Sequence, residues 1–299
     1  MKFMSTKKAI LILSPPRSGS TYLARIISNY ANDKTEYEDE SWSIVSMFSG
    51  LLSKDNYNYY GGRILNNLFE YHKDNKEDTL KIYSKMASYF YKQKTKHFNY
   101  IDKTPRNIFF NHLLEDEDYI KKVYLVRNPV DLFFSACNEF CHGYYSWEKL
   151  EIDLQRGIKI MSEQDNHVFL VRYEDLLNNQ ADEVNRIFQN LDMDYTVKDL
   201  DDYSGLLGDS SSRGVKKSKL EISMYKKNKL RNFLNLESTK NYIEKFYNKD
   251  EIESKFNSLQ VRRLGCRDFI YDLTFKIIKR FSLIPFFLSI IKKPKYLVR

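Results

Sequence analysis

Three cysteines in 299 residues are too few for a disulfide framework, so the fold must rest on its core rather than on covalent staples. Long apolar runs are missing as well: no stretch approaches the ~20 apolar residues that cross a bilayer, which excludes a spanning helix. Lys2, Lys7 and Lys8 precede the apolar Ala9 to Leu13 in the manner of a leader peptide. That run is too short and merges with the loop behind it, so the chain is expected in the cytoplasm. An internal repeat, a low-complexity linker and any helix-turn-helix, zinc-finger or RNP pattern are also absent. The net charge of +8 is therefore no argument for nucleic acid, because a site that holds a small polyanion accounts for it equally well.

The most informative absence is one lysine. In Leu11-Ile12-Leu13-Ser14-Pro15-Pro16-Arg17-Ser18-Gly19-Ser20-Thr21-Tyr22-Leu23, a short apolar run breaks into a Pro/Gly/Ser turn that opens a helix. The N–H groups at such a helix start point outward and carry partial positive charge, so an anion docks there. A Walker A loop needs G-x-x-x-x-G-K-[ST], yet Ser14 stands at the first glycine position and Ser20 at the lysine. The side-chain cation is Arg17.

Three further segments share the pattern of a strand running into a turn. The apolar run of Tyr119 to Val126 reads as a buried strand ending at Arg127. Asn128 can cap the next helix, Pro129 suits its first position, and Ser135 falls two turns in. Tyr100-Ile101-Asp102-Lys103-Thr104-Pro105-Arg106-Asn107 is a shorter strand and turn, in which the plain alternative for Lys103 is an exposed loop lysine. Val168 to Val171 is a buried strand that ends in Arg172-Tyr173-Glu174-Asp175-Leu176, with the two acids read as caps of the following helix.

P-R-S-G-S-T-x-L after an N-terminal strand resembles the 5′-phosphosulfate loop of sulfotransferases that use 3′-phosphoadenosine 5′-phosphosulfate (PAPS). That resemblance implies that Arg17, Ser18, Gly19, Ser20 and Thr21 cradle the 5′ end of the co-substrate and that Arg127 and Ser135 hold its 3′-phosphate. Lys103, in a K-[TD]-P pattern, is similar to the family's second cation on the sulfate side, and with Arg17 would stabilise charge developing on the bridging oxygen. Tyr173 is expected near the nucleotide. Arginine in the loop resembles the carbohydrate, tyrosyl-protein and bacterial branches, where cytosolic small-molecule enzymes usually carry lysine. The implied acceptor is a hydroxyl, on a glycan or glycolipid, and no metal is called for.

An attacking hydroxyl needs a base. Glu36, Glu38, Asp39 and Glu40 follow the first helix about twenty residues after the loop, where relatives with a carboxylate base keep it. Gapless counting from Arg17 favours Glu38; one small insertion transfers the role to Glu40. A solvated acidic loop is the plain reading of the cluster. A histidine base is the alternative, with His97, His112 and His142 nearest the motifs. Two other functions compete: a P-loop kinase or NTPase, which needs a lysine after Gly19 and an acidic strand end for Mg²⁺, and a non-catalytic nucleotide-binding protein at a membrane surface.

The expected fold class is α/β, a parallel sheet flanked by helices of the P-loop-like sulfotransferase type, with strands near 8–14, 99–102, 121–126 and 167–172. A sulfotransferase domain is expected over 1–268, with a helical insertion at about 41–98 whose Trp42, Phe48, Tyr57, Tyr59 and Tyr60 can wall an acceptor cleft. Gly205 to Gly214 form a flexible loop running into lysines, which the resemblance implies closes over the nucleotide; Tyr225 stands where relatives often place tryptophan. The resemblance ends near Leu264-Gly265-Cys266. Cys137, Cys141 and His142 imitate a metal cluster but read as buried thiols on one helix. Residues 269–299 form a basic amphipathic tail, either lying on an anionic membrane surface or docked on protein.

Overall fold

The computed structural model describes residues 7–38, 76–104, 107–108, 114, 117–139, 147–163, 168–196 and 221–262. Its centre is a five-stranded, wholly parallel sheet. In chain order the strands are β1 (Ala9–Leu13), β2 (Thr35–Glu38), β3 (Asn99–Asp102), β4 (Ile120–Val126) and β5 (Val168–Arg172), arranged β2-β3-β1-β4-β5. All five residues of β1 are fully buried, as a central strand covered on both faces requires. The chain winds from β1 toward β2 and later from β3 across to β4, so the winding direction reverses at β1, and the carboxyl ends of β1 and β4 are the switch point at which sheets of this kind bind ligands.

Alternation along the strands divides the core. Ile10, Ile12, Ile101, Val123, Leu125 and Val171 face one layer, made by α1 (Ser20–Tyr30), α5 (Tyr173–Asn178) and α6 (Gln180–Leu191). Ala9, Leu11, Leu13, Tyr100, Tyr124 and Val126 face the other. There they meet α2 (Lys76–Lys94), α4 (Trp147–Glu163), α7 (Met224–Leu234) and α8 (Glu237–Phe246). Gly157 in α4 is required by Tyr124, because a β-carbon there would lie 1.7 Å from the phenol oxygen. Between β4 and α4 the chain turns through α3 (Pro129–Phe133), which widens into a π-helix over Phe134–Glu139. A two-stranded parallel ribbon of β6 (Glu221–Ser223) and β7 (Gln260–Arg262), with α9 (Lys249–Ser258) before its second strand, completes the described structure.

The four expected strands are present within a residue or two of their expected ends, and the fold is the α/β parallel sheet anticipated. Three strands were not anticipated. β2 carries Thr-Glu-Tyr-Glu, whose carboxylates suggest a loop; it pairs only with β3 among the described residues, and an edge position tolerates such polarity. β6 and β7 are three residues each, too short for periodicity to register. Of the 41–98 insertion, α2 is helical as expected, whereas 39–75, with its aromatic cluster, lies outside the described residues. So do Cys141, His142, 197–220 and the tail from 263 onward.

Candidate active site

Because every strand pair in the main sheet is parallel, the segments that leave the five strands emerge along one edge. β1 delivers the Ser14–Gly19 loop, β2 ends at Glu38, β3 leads into Lys103, β4 into Arg127, and β5 into Tyr173. Residues dispersed over 160 positions of sequence are thus gathered by sheet topology alone.

The loop after β1 closes with the Ser18 N–H donating to the Pro15 carbonyl at 3.3 Å. Arg17 has φ 73° and Gly19 φ 100°, two left-handed residues flanking Ser18. Gly19 caps α1 without a side-chain bond, so the first-turn N–H groups are left with the outward direction that suits an anion. Glycine is required at 19 on two counts. Its φ disfavours any side chain, and a β-carbon would lie 2.4 Å from Cδ2 of Tyr173. Ser18 is fully buried, and its hydroxyl has no hydrogen-bond partner among the described residues.

The segments after β1 and β4 are cross-latched. Arg127 donates from Nη1 to the Arg17 carbonyl at 2.7 Å, while Arg17 donates from Nε to Ser135 Oγ at 3.3 Å. The Arg127 guanidinium also stands 4.6 Å from the centre of the Tyr173 ring, which in turn meets Tyr22 edge-on at 6.0 Å. Burial and the neighbouring Tyr173 raise the Tyr22 hydroxyl to a pKa of about 12. Asn128 caps α3 as anticipated, accepting from Val130 N at 3.0 Å with Pro129 at the first position. Ser135, however, sits in the π-helix rather than in a continuing α-helix. Single-turn π segments are frequent at functional sites.

Two strands end in arginine, and their surroundings differ. Arg172 forms an ion pair with Glu251 at 3.1 Å and lies 4.0 Å from Asp175. Arg127 has no carboxylate partner among the described residues; an Nε without a hydrogen bond is common to both arginines. A structural ion pair, the plain alternative for a strand-end arginine, holds for Arg172 and is not formed by Arg127 among the described residues. Among the described residues no carboxylate offsets the positive charge of Arg127, which stands beside the loop after β1, an arrangement that favours an anion.

On the other side of β1, Lys103 is buried, only 5% exposed, which corrects the reading of an exposed loop lysine. The turn around it is fixed: buried Asp102 accepts from Thr104 N at 3.0 Å and from the Tyr91 hydroxyl at 3.0 Å. Glu38 stands in register with Asp102 at the carboxyl end of β2, so Glu36 and Glu38 belong to a strand rather than to a solvated acidic loop. Glu36 pairs with Lys34. The side chain of Glu38, like Asp39 and Glu40, lies outside the described residues. His97 is exposed and precedes Asn99, at the amino end of β3. The length of β3, at about 3.3 Å per residue, separates it from the edge that carries Lys103, a placement that does not favour it as a base. His112 and His142 lie outside the described residues.

Residues 9–197, more than half of the chain, match the model of the sulfotransferase family. The chain belongs to that family. No curated protein matches it. Similar solved structures include the sulfotransferase domain of the Synechococcus PCC 7002 olefin synthase, at 17% identity and TM-score 0.40 over 67% of this chain and 76% of that one. A sulfotransferase from Alicyclobacillus acidocaldarius is 10% identical, TM-score 0.44, over 83% of this chain and 99% of that one. Mouse sulfotransferase SULT7A1, complexed with PAP, is 15% identical, TM-score 0.37, over 70% and 67%.

Membership makes this protein a sulfotransferase and favours sulfuryl transfer over the kinase or NTPase reading, in line with Ser20 at the Walker lysine position. No helix of the described residues is long and apolar enough to cross a membrane. Sequence reasoning missed part of the site's support. Glu174 was read as a cap of its own helix, but α5 has no side-chain cap; instead Glu174 reaches across to the turn after β4. Lys226, Lys227, Lys229 and Arg231, read as following a flexible loop, form α7, where Lys227 donates to the Leu259 carbonyl at 3.1 Å.

Proposed function

We propose that this sulfotransferase draws its sulfuryl group from PAPS and passes it to a hydroxyl on a carbohydrate or glycolipid. The observation that supports the choice of donor is the Arg127 guanidinium, which has no carboxylate partner among the described residues and reaches the Arg17 carbonyl and the Tyr173 ring, set against Arg172 one strand away, which is paired with Glu251. Arg127 and Ser135 bind the 3′-phosphate, and Tyr173 lies beside the nucleotide. Arg17, with the N–H groups of Ser18, Gly19, Ser20 and Thr21 and the hydroxyls of Ser18, Ser20 and Thr21, holds the 5′ end. When bound, PAPS supplies an activated sulfuryl group on its 5′-phosphate. Lys103, which is buried, and Arg17, which is partly exposed, then stabilise the charge left on the bridging oxygen, a task for which pre-positioned cations are effective. Glu38 accepts the proton of the acceptor hydroxyl, with Glu40 the neighbour able to replace it. The carbohydrate assignment rests on arginine, rather than lysine, in the loop.

Calorimetry with 3′,5′-bisphosphoadenosine (PAP), AMP and ATP with Mg²⁺ tests the donor. PAP binds ten- to a hundredfold more tightly than AMP if a charge-assisted bidentate contact of about 1.5–3 kcal/mol holds its 3′-phosphate. ATP with Mg²⁺ as the tighter ligand overturns the proposal. For residues 269–299 we propose contact with an anionic membrane surface, since apolar Phe, Ile and Leu alternate with Lys and Arg. The full chain then co-sediments with anionic vesicles, less so at high salt, and a chain ending at Arg267 does not. An equal distribution of the two chains refutes the contact.

A further inference from the structure

The turn after β4 is held in an unusual way. Ladder pairing of β4 stops at Tyr124 against β1 and at Val126 against β5, so the backbone of Arg127 and Asn128 lies beyond the sheet. Buried backbone groups there need other partners. Asn128 N donates to Glu174 Oε1 at 2.8 Å, and Arg127 N donates to the Tyr242 hydroxyl at 3.2 Å. That hydroxyl donates back to the Arg127 carbonyl at 3.2 Å, and the Tyr247 hydroxyl donates to Glu174 Oε2 at 3.0 Å. Tyr242 is fully buried in the core, Asn128 nearly so. Burial raises the pKa of the Glu174 carboxyl, against the lowering effect of these hydrogen bonds.

The chemistry of this cluster is specific. A carboxylate two residues from a strand-end arginine and next to another arginine's turn would ordinarily serve as a counter-ion. Glu174 contributes to the negative field around Arg172, but its hydrogen bonds go to a backbone N–H and a phenol, and the guanidinium of Arg127 reaches the Arg17 carbonyl and the face of Tyr173. The negative charge therefore fixes where the arginine's backbone is without neutralising its side chain. Tyr242 and Tyr247 come from α8 and the residue after it, so the carboxy-terminal third of the described chain sets the aim of a residue in the middle.

We propose that Glu174, together with Tyr242 and Tyr247, is a positioning device that fixes the Arg127–Asn128 backbone so that the Arg127 guanidinium is aimed at the 3′-phosphate of the nucleotide. The proposal rests on the reading that Arg127 binds that phosphate. Glu174 touches no reacting atom in this scheme. Its effect passes through Arg127, and it is felt only by ligands that carry a 3′-phosphate.

The test uses the full chain and compares PAP with AMP, which lacks the 3′-phosphate, by calorimetry. Wild-type protein that binds AMP as tightly as PAP overturns the reading of Arg127 itself. With that preference present in wild type, Glu174→Ala lowers PAP affinity on the order of tenfold and leaves AMP within twofold. Glu174→Gln, which keeps an acceptor for Asn128 N, restores most of the loss. In turnover the Ala variant raises KM for PAPS and keeps kcat at saturation. Equal weakening of PAP and AMP, or weakening of neither, overturns the positioning role. Tyr242→Phe provides a second probe should the Ala variant fail to fold, since it removes the acceptor for Arg127 N and keeps the ring; the same selective loss of PAP is expected, and an unchanged PAP-to-AMP ratio refutes the device.

Discussion

Replacing Gly19 by alanine tests the geometry of the loop more severely than removing any of its charges. At φ 100° an L-residue is disfavoured, at a cost of about 1–2 kcal/mol. The added carbon also meets Tyr173, 2.4 Å from Cδ2 and 2.5 Å from Cε2. That ring has little freedom to retreat, because the Arg127 guanidinium covers it at 4.6 Å and Tyr22 abuts it. Overpacking of this kind costs about 1–3 kcal/mol, so Gly19→Ala should destabilise the protein by about 2–5 kcal/mol in all. Urea unfolding measures it as a shift of the midpoint at unchanged slope. Displacing Tyr173 also disturbs Arg127, so PAP affinity should fall in the folded variant. The partition is checked in a Tyr173→Ala background, where the steric part vanishes and only the backbone part, about 1–2 kcal/mol, persists. A Gly19→Ala cost below about 0.5 kcal/mol, or one identical in both backgrounds, refutes the reasoning, since the first denies strain and the second denies contact.

The acceptor side gives two further expectations. Lys103→Ala should lower kcat on the order of 10²–10³-fold while PAP binding, followed by calorimetry, stays near wild type; unchanged turnover removes Lys103 from the transition state. Glu38→Gln should reduce kcat about 10²–10⁴-fold in steady-state assays with labelled donor. Full activity in that variant with loss in Glu40→Gln moves the base to Glu40, and activity in both moves it to His112 or His142.

What could be read in advance follows physical lines. β1 was legible because Ala-Ile-Leu-Ile-Leu is a short continuous apolar run that ends in a Pro/Gly/Ser turn, the pattern of a strand buried on both faces, and Asn128-Pro129 was legible because cap and first helical residue are local choices. β2 was not, because at an edge the sequence Thr-Glu-Tyr-Glu obeys local polarity and joins the sheet through backbone bonds that any residue makes. The π-helix at Ser135 leaves no trace in composition. Burial of Lys103 depends on the turn held by Asp102 and on Tyr91 of α2, a pairing across eleven residues that no motif announces. Glu174 was seen but misassigned, since nothing local distinguishes an acid that caps its own helix from one that bridges 46 residues to Asn128.

The two cation segments illustrate why motifs located the site but not its coupling. Arg17 occupies a left-handed conformation that is costly for a residue with a side chain, and such strain persists only where the surroundings fix it. The carbonyl of that residue accepts from Arg127, 110 positions later, and its own guanidinium is bonded to Ser135, 118 positions later. Each arginine therefore helps hold the segment on which the other end of the ligand is expected to rest. The order of motifs along the chain is enough to find both ends, because each end needs its own cation. How firmly either grips an anion is a property of the pair, since loss of one guanidinium removes a contact to the ligand and loosens the conformation that aims the other.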